Sequence, residues 1–88
     1  MRAYYFTASW CAPCRDFEPI VKSVCAEKEL DLYIYDVEEM ASYTMGCKIK
    51  STPTLIVQNS AGEEVYRIIG SIPVNELKEK LGGVMANG

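Results

Sequence analysis

The run Trp10-Cys11-Ala12-Pro13-Cys14 sets two thiols three positions apart, directly after a short apolar segment that reads as a strand. On a helix that spacing is about one turn, so the pair can close a disulfide within the helix's first turn. The first sulfur would lie where unpaired backbone N–H groups stabilise a thiolate. The chemistry this suggests is electron exchange through sulfur. Cys11, at the helix entrance, is the expected attacking thiol that forms a mixed disulfide with a substrate. Cys14, shielded by the first turn, is the expected resolving thiol that attacks Cys11 and releases the reduced substrate. Trp10 offers a flat apolar surface beside the sulfur, or else covers core. Ala12-Pro13 bridges the pair, with Pro13 either stiffening the turn or serving as an ordinary early-helix proline.

A CxxC is also half of a common four-thiolate zinc site. Cys25 and Cys47 do not make a second CxxC, and the chain has no histidine, so no metal is expected. Cys25 continues an apolar helix face and reads as a buried thiol behaving as a small hydrophobe. Cys47 follows a helix-ending glycine, and a secondary reading makes it an exposed regulatory or dimerising thiol. A second stretch, Ser51-Thr52-Pro53-Thr54, puts a proline at the threshold of the strongest strand. Locally a trans bond that begins the strand is favoured; a cis bond would bring the Thr52 backbone beside Cys11, ready to pair with an extended substrate.

The elements that must position these residues follow in the order βαβ, α, ββα. Residues 2–6 carry strand formers, and Thr7-Ala8-Ser9 turns away from them. From Cys11 to about Lys28 the period is helical, with Phe17, Ile20, Val21, Val24 and Cys25 on one face and a kink expected at Pro19. Leu32–Tyr35 is a second strand, followed by a weak helix that opens at Asp36 and Glu38, runs to about Met45 and stops at Gly46. Thr54–Gln58 and Val65–Ile69 form a hairpin about a turn at Asn59–Gly62. Pro73 opens a last helix whose Val74, Leu77 and Leu81 make the buried stripe. The 88 residues fit one domain, 1–88, with 82–88 expected as a flexible tail. Hydrophobic residues at 49%, charged residues at 24% and a net charge of −3 describe a soluble globular balance with no basic stripe for nucleic acid or anionic lipid. The N-terminal residues include no signal-peptide core and no membrane span, which makes a reducing cytoplasm the expected location.

With Trp-Cys-x-Pro-Cys after the first strand and Thr52-Pro53-Thr54 before the hairpin, nearly the whole chain resembles the thioredoxin family. The resemblance implies an α/β, thioredoxin-like fold, a four-stranded mixed sheet of order 2-1-3-4 flanked by three helices. It implies Cys11 as nucleophile and Cys14 as resolving thiol, together a redox-active disulfide. Trp10, Ala12, Pro13, Thr52, Pro53 and Gly70 would line or support the substrate groove, with Pro53 cis. Pro19 matches the family's helix-kinking proline and Gly62 the glycine of its hairpin turn. The implied function is protein disulfide reduction with no bound cofactor, with electrons from NADPH through a thioredoxin reductase. Its partners would be that reductase and disulfide-containing client proteins, met by a monomer.

The departures also carry information. The resemblance begins at what is usually the family's second strand, which gives the sequence a glutaredoxin's size. Ala12 replaces the usual glycine between the cysteines. Tyr5 stands where the family commonly buries an aspartate beneath the second cysteine, and Leu32 near the place of its lysine partner. Water, Asp16, Asp36 or Glu38 would then have to receive the resolving thiol's proton. Glutaredoxins usually carry Cys-Pro-Tyr-Cys and a Gly-Gly pair that holds glutathione, which Gly70-Ser71-Ile72 does not supply. A glutathione-dependent enzyme, recognising its ligand at Lys48, Lys50 and the Gly70-Ser71 edge, is one alternative. A binding module that uses the dithiol only to register redox state is another.

Overall fold

Four strands and three helices follow one another along the chain: β1 (Arg2–Thr7), α1 (Ala12–Glu27), β2 (Asp31–Asp36), α2 (Ala41–Gly46), β3 (Thr54–Gln58), β4 (Glu64–Ile69) and α3 (Val74–Asn87). The structure, a computed structural model, describes residues 1–87. The strands make one sheet in the order β2-β1-β3-β4. β1 runs parallel to β2 and antiparallel to β3, and β3 runs antiparallel to β4. The mixed sheet and its order are those the sequence resemblance implied.

Side chains alternate across a strand, and β1 is buried on both faces, which is why its sequence reads as a continuous apolar run. Ala3 and Tyr5 enter the larger core, with Phe17, Val21, Val24 and Cys25 from α1 and Leu77 and Leu81 from α3. Tyr4 and Phe6 point the other way, into a smaller cluster with Ile56. Rings of Tyr35 and Tyr43 pack around that cluster with centroids 5.1–6.2 Å from one another and from Tyr4 and Phe6. In register, Phe6 lies opposite Thr54 of β3 and Tyr35 of β2. The end of β1 and the start of β3 therefore meet at one end of the sheet, and the loops they carry are neighbours.

α1 continues through Pro19, although a proline has no N–H to give the carbonyl four residues before it. The elements beyond it depart from the sequence expectation in four places. Residues 37–40 form turns before α2, because the Asp36 carboxylate accepts the N–H groups of Glu38 and Glu39 at 2.8 and 3.2 Å and holds the chain in a local turn. α2 includes Gly46 and ends on Cys47, and the left-handed residue that closes it is Lys48, with φ 58°. Val74 is 40% exposed, so the buried stripe of α3 begins at Leu77. Finally, the helix persists over 82–87, the segment expected as a tail, because Val84 packs on the same core as Leu77 and Leu81 and extends the stripe past Gly82-Gly83. Gly88 lies outside the described residues.

Cys25 is 1% exposed in this core, and burial pushes its thiol up from about 9 to about 11. The folded chain thus keeps the proton where an unfolded chain would release it. That contribution to stability is complete below pH 9 and is lost as the pH rises towards 11. Denaturant titrations of the wild type and of Cys25→Ala should differ by a cavity cost that is constant at neutral pH. Between pH 9 and 11 the gap should narrow by about 2 kcal/mol.

Candidate active site

Cys11 is the N-cap of α1, with extended backbone angles, and Pro13 stands in the helix's first turn, where its missing N–H costs nothing. The Cys11 and Cys14 sulfurs are joined in a disulfide, with Cα atoms 5.3 Å apart. The backbone N–H of Cys14 points at Cys11 Sγ, 3.3 Å away. A sulfur thus takes the capping role that an oxygen usually fills. No acidic residue occupies the first turn to oppose the helix's positive end. Cys11 is 6% exposed and Cys14 is fully buried.

The loop before β3 closes over this turn. The Thr52–Pro53 peptide is cis, and the Thr52 carbonyl oxygen stands 3.8 Å from Cys11 Sγ. Gly70, left-handed at φ 86°, donates its N–H to the Pro53 carbonyl at 2.8 Å and so ties the end of β4 to the same loop. Ala12 and Pro13 are exposed. Trp10 is 69% exposed and does not cover core; its indole N–H donates to Glu38 at 3.0 Å. Beside these residues a groove of about 260 Å³ is lined by Trp10, Val37, Thr44, Ile49, Lys50 and Thr52, among others. The structure therefore gathers Trp10, Cys11, Ala12, Pro13, Cys14, Thr52, Pro53 and Gly70 at one end of the sheet.

The family model for thioredoxin matches residues 4–82. The chain belongs to the thioredoxin family. The thioredoxin of Porphyra purpurea is 33% identical over 78 residues, which span 86% of this chain and 72% of that one. That of Staphylococcus aureus is 35% identical over 78 residues, spanning 86% and 74%. Among solved structures, thioredoxin 1 of Thermosipho africanus matches with a TM-score of 0.88 at 21% identity, covering 98% of this chain and 96% of that one. The thioredoxin of Trypanosoma brucei brucei matches at 0.84 and 24%, covering 97% and 74%. At these identities the structural matches speak for the fold, and the family assignment rests on the sequence relatives. As a thioredoxin-family protein the chain is a thiol–disulfide oxidoreductase, and Cys11–Cys14 is its redox-active pair.

Beneath the pair the chain has its own arrangement. Tyr5 is fully buried, and its hydroxyl donates to the Cys14 carbonyl oxygen at 2.7 Å. Burial, with a smaller contribution from the Glu18 charge, pushes this phenol well above its ordinary value. It is therefore a hydrogen-bond donor and not a base at any physiological pH. Sequence reading identified Tyr5 only as an unusual residue at its position; the bond depends on how β1 lies under α1. None of the proposed substitute acids is bonded to Cys14. Asp16 is exposed, Asp36 holds the turn after β2, and Glu38 is engaged with Trp10. Leu32 packs against the larger core.

The remaining thiols lie away from the pair. Cys25 is in the core, as expected. Cys47 is half-buried beside the Tyr4–Phe6–Ile56 cluster. Burial raises its thiol, an effect that Arg67 partly offsets and Glu64 adds to, so it lacks the depressed value of a reactive cysteine. No group of three metal-ligating side chains lies together among the described residues, and no helix among them is long and apolar enough to cross a membrane.

Tyr5→Phe keeps the ring in the core and removes only the bond to the Cys14 carbonyl. Urea titration of the oxidised protein should show a loss of about 1–2 kcal/mol. Stopped-flow decay of a preformed mixed disulfide on Cys11 should slow several-fold, since the turn that carries Cys14 is less firmly held.

Proposed function

We propose that the chain is a protein disulfide reductase in which Cys11 attacks and Cys14 resolves. The observation that carries the assignment is the Cys14 N–H aimed at Cys11 Sγ at 3.3 Å, on the thiol that is the less buried of the two. A backbone N–H at a helix start favours negative charge on that sulfur. The Cys11 thiolate attacks a client disulfide, forming one S–S bond to the client and releasing the client's other sulfur as a thiolate, which takes a proton from solvent. Cys14 then loses its proton and attacks Cys11 Sγ. The S–S bond to the client breaks, the second client sulfur leaves as a thiolate, and the Cys11–Cys14 disulfide closes. The client gains two electrons and two protons, and the chain's dithiol is oxidised.

The Thr52 carbonyl and the exposed Trp10 face give an extended client segment a polar and an apolar contact beside the reacting sulfur. In this reading Ala12, Pro13, Pro53 and Gly70 shape the groove and hold its walls. Electrons come from NADPH through a thioredoxin reductase, and the protein acts as a single-domain monomer over residues 1–88 in the cytoplasm.

The test is the rate of protein disulfide reduction when the chain is recharged by NADPH and thioredoxin reductase, measured beside glutathione and glutathione reductase. Turnover in the first system is expected. Turnover confined to the second would make the protein glutathione-dependent, and turnover in neither would favour a redox-registering binding module. Cys11→Ser should abolish turnover. Cys14→Ser should accumulate a covalent adduct with a disulfide client, visible by non-reducing electrophoresis and dispersed by dithiothreitol, because the escape reaction is gone while Cys11 still attacks.

A further inference from the structure

Adjoining the Trp10 groove is a second cleft of about 310 Å³, lined by Lys48, Lys50, Ser51, Thr54, Arg67 and Ile69. Lys50 and Ser51 line both hollows, so the two share a wall. That wall runs directly into Thr52, whose carbonyl stands at Cys11 Sγ.

The cleft is cationic in a chain of net charge −3. Arg67 is already matched: it takes both oxygens of Glu64 at 2.7 and 2.8 Å and donates to the carbonyls of Cys47 and Lys48 at 2.7 and 3.3 Å. It acts as a clamp that fixes the backbone after α2 against β4. Lys48 and Lys50 have no ion pair among the described residues. Ile49 between them packs on the Tyr4–Phe6–Ile56 cluster, and both lysines are exposed. Lys48 also holds a left-handed backbone, φ 58°, a conformation that costs a residue with a β-carbon some free energy. The fold therefore holds two unneutralised ammonium groups on a clamped segment, next to the loop that faces the reactive sulfur.

We propose that the Lys48–Lys50 cleft is a carboxylate-binding subsite, which selects disulfide-bearing client segments that have an acidic residue within a few positions of the reacting cysteine. This rests on the reductase reading above and supplies its substrate class. A client strand advances about 3.3 Å per residue. A side chain two or three positions from a cysteine held at Cys11 thus falls within reach of the neighbouring cleft. Charge attraction at a partly enclosed surface raises the encounter rate and is weakened by salt.

The experiment uses two synthetic peptides, each with one internal disulfide, identical except that the residues two and three positions either side of one cysteine are Asp and Glu in the first and Asn and Gln in the second. The pre-reduced full chain is mixed with each peptide in single turnover, at roughly 20 mM and about 0.5 M salt. At low salt the acidic peptide should react about fivefold faster, and at high salt the advantage should fall to about twofold or less. In Lys48→Gln/Lys50→Gln the ratio of the two rates should drop to near one. In Lys22→Gln/Lys78→Gln, which removes the same charge from lysines paired on α1 and α3, the ratio should persist.

Equal rates for both peptides with the wild type would overturn the subsite while leaving disulfide reduction intact. So would a ratio that survives in Lys48→Gln/Lys50→Gln, or one lost equally in Lys22→Gln/Lys78→Gln, which would make it an effect of net charge. If Lys48→Gln/Lys50→Gln slows turnover with glutathione and glutathione reductase without changing the peptide ratio, the cleft belongs to a glutathione carboxylate and the proposal falls. Failure to reduce either peptide would remove the reductase reading itself, and the subsite with it.

Discussion

The pairing of β1 on both of its edges is the constraint on which the rest of the structure depends. With β2 parallel on one side and β3 antiparallel on the other, the C-terminal end of β1 and the N-terminal end of β3 must lie together. The first leads into Trp10–Cys14 and the second follows Ser51–Pro53, so a sheet register of Phe6 against Thr54 brings the dithiol and the proline loop into contact across 41 residues of sequence. A slip of one residue would also exchange the two faces of β1, sending Tyr5 away from α1 and Phe6 into its place. The large core on one face and the aromatic cluster on the other make that slip costly.

Around the sulfurs the polar contacts come mostly from backbone groups. The Cys14 N–H and the Thr52 carbonyl face Cys11, and the Cys14 carbonyl receives the Tyr5 hydroxyl. Backbone groups held by the first turn of α1 and by a loop tied to β4 need little reorganisation when a sulfur gains or loses charge, which suits a centre that must cycle between dithiol and disulfide. Tyr5 adds a neutral donor fixed in the core, at a point where a carboxylate would bring a buried charge and its desolvation cost.

Charge is distributed unevenly over the surface. The chain is acidic overall, yet the segment between α2 and β3 exposes Lys48 and Lys50, whose ammonium groups have no ion pair among the described residues, while Arg67 directs its donors to Glu64 and to the carbonyls that end α2. The same short segment turns Ile49 inward to the aromatic cluster. One stretch thus closes a helix, seals the smaller core and shapes the border of the reactive groove.

The sequence by itself determined the local elements and the chemistry. The CxxC spacing, the helical period from Phe17 to Cys25, the hairpin about Asn59–Gly62 and the buried character of Cys25 follow from residue type and spacing, because helix and strand periods are written in consecutive residues. The turn after Asp36, the left-handed Lys48 and the continuation of α3 past Gly82-Gly83 were not legible. Each depends on a competing contact: a carboxylate on backbone N–H groups, a clamp from Arg67, and Val84 against the core. From local sequence the Thr52–Pro53 bond favoured trans, and only the resemblance pointed to cis. The bond from Tyr5 to Cys14, the approach of Thr52 to Cys11 and the gathering of Lys48 and Lys50 beside the groove were decided by the tertiary structure alone. They join residues that are distant along the chain or on different elements, and only the sheet register and the packing of α1 over β1 set those distances.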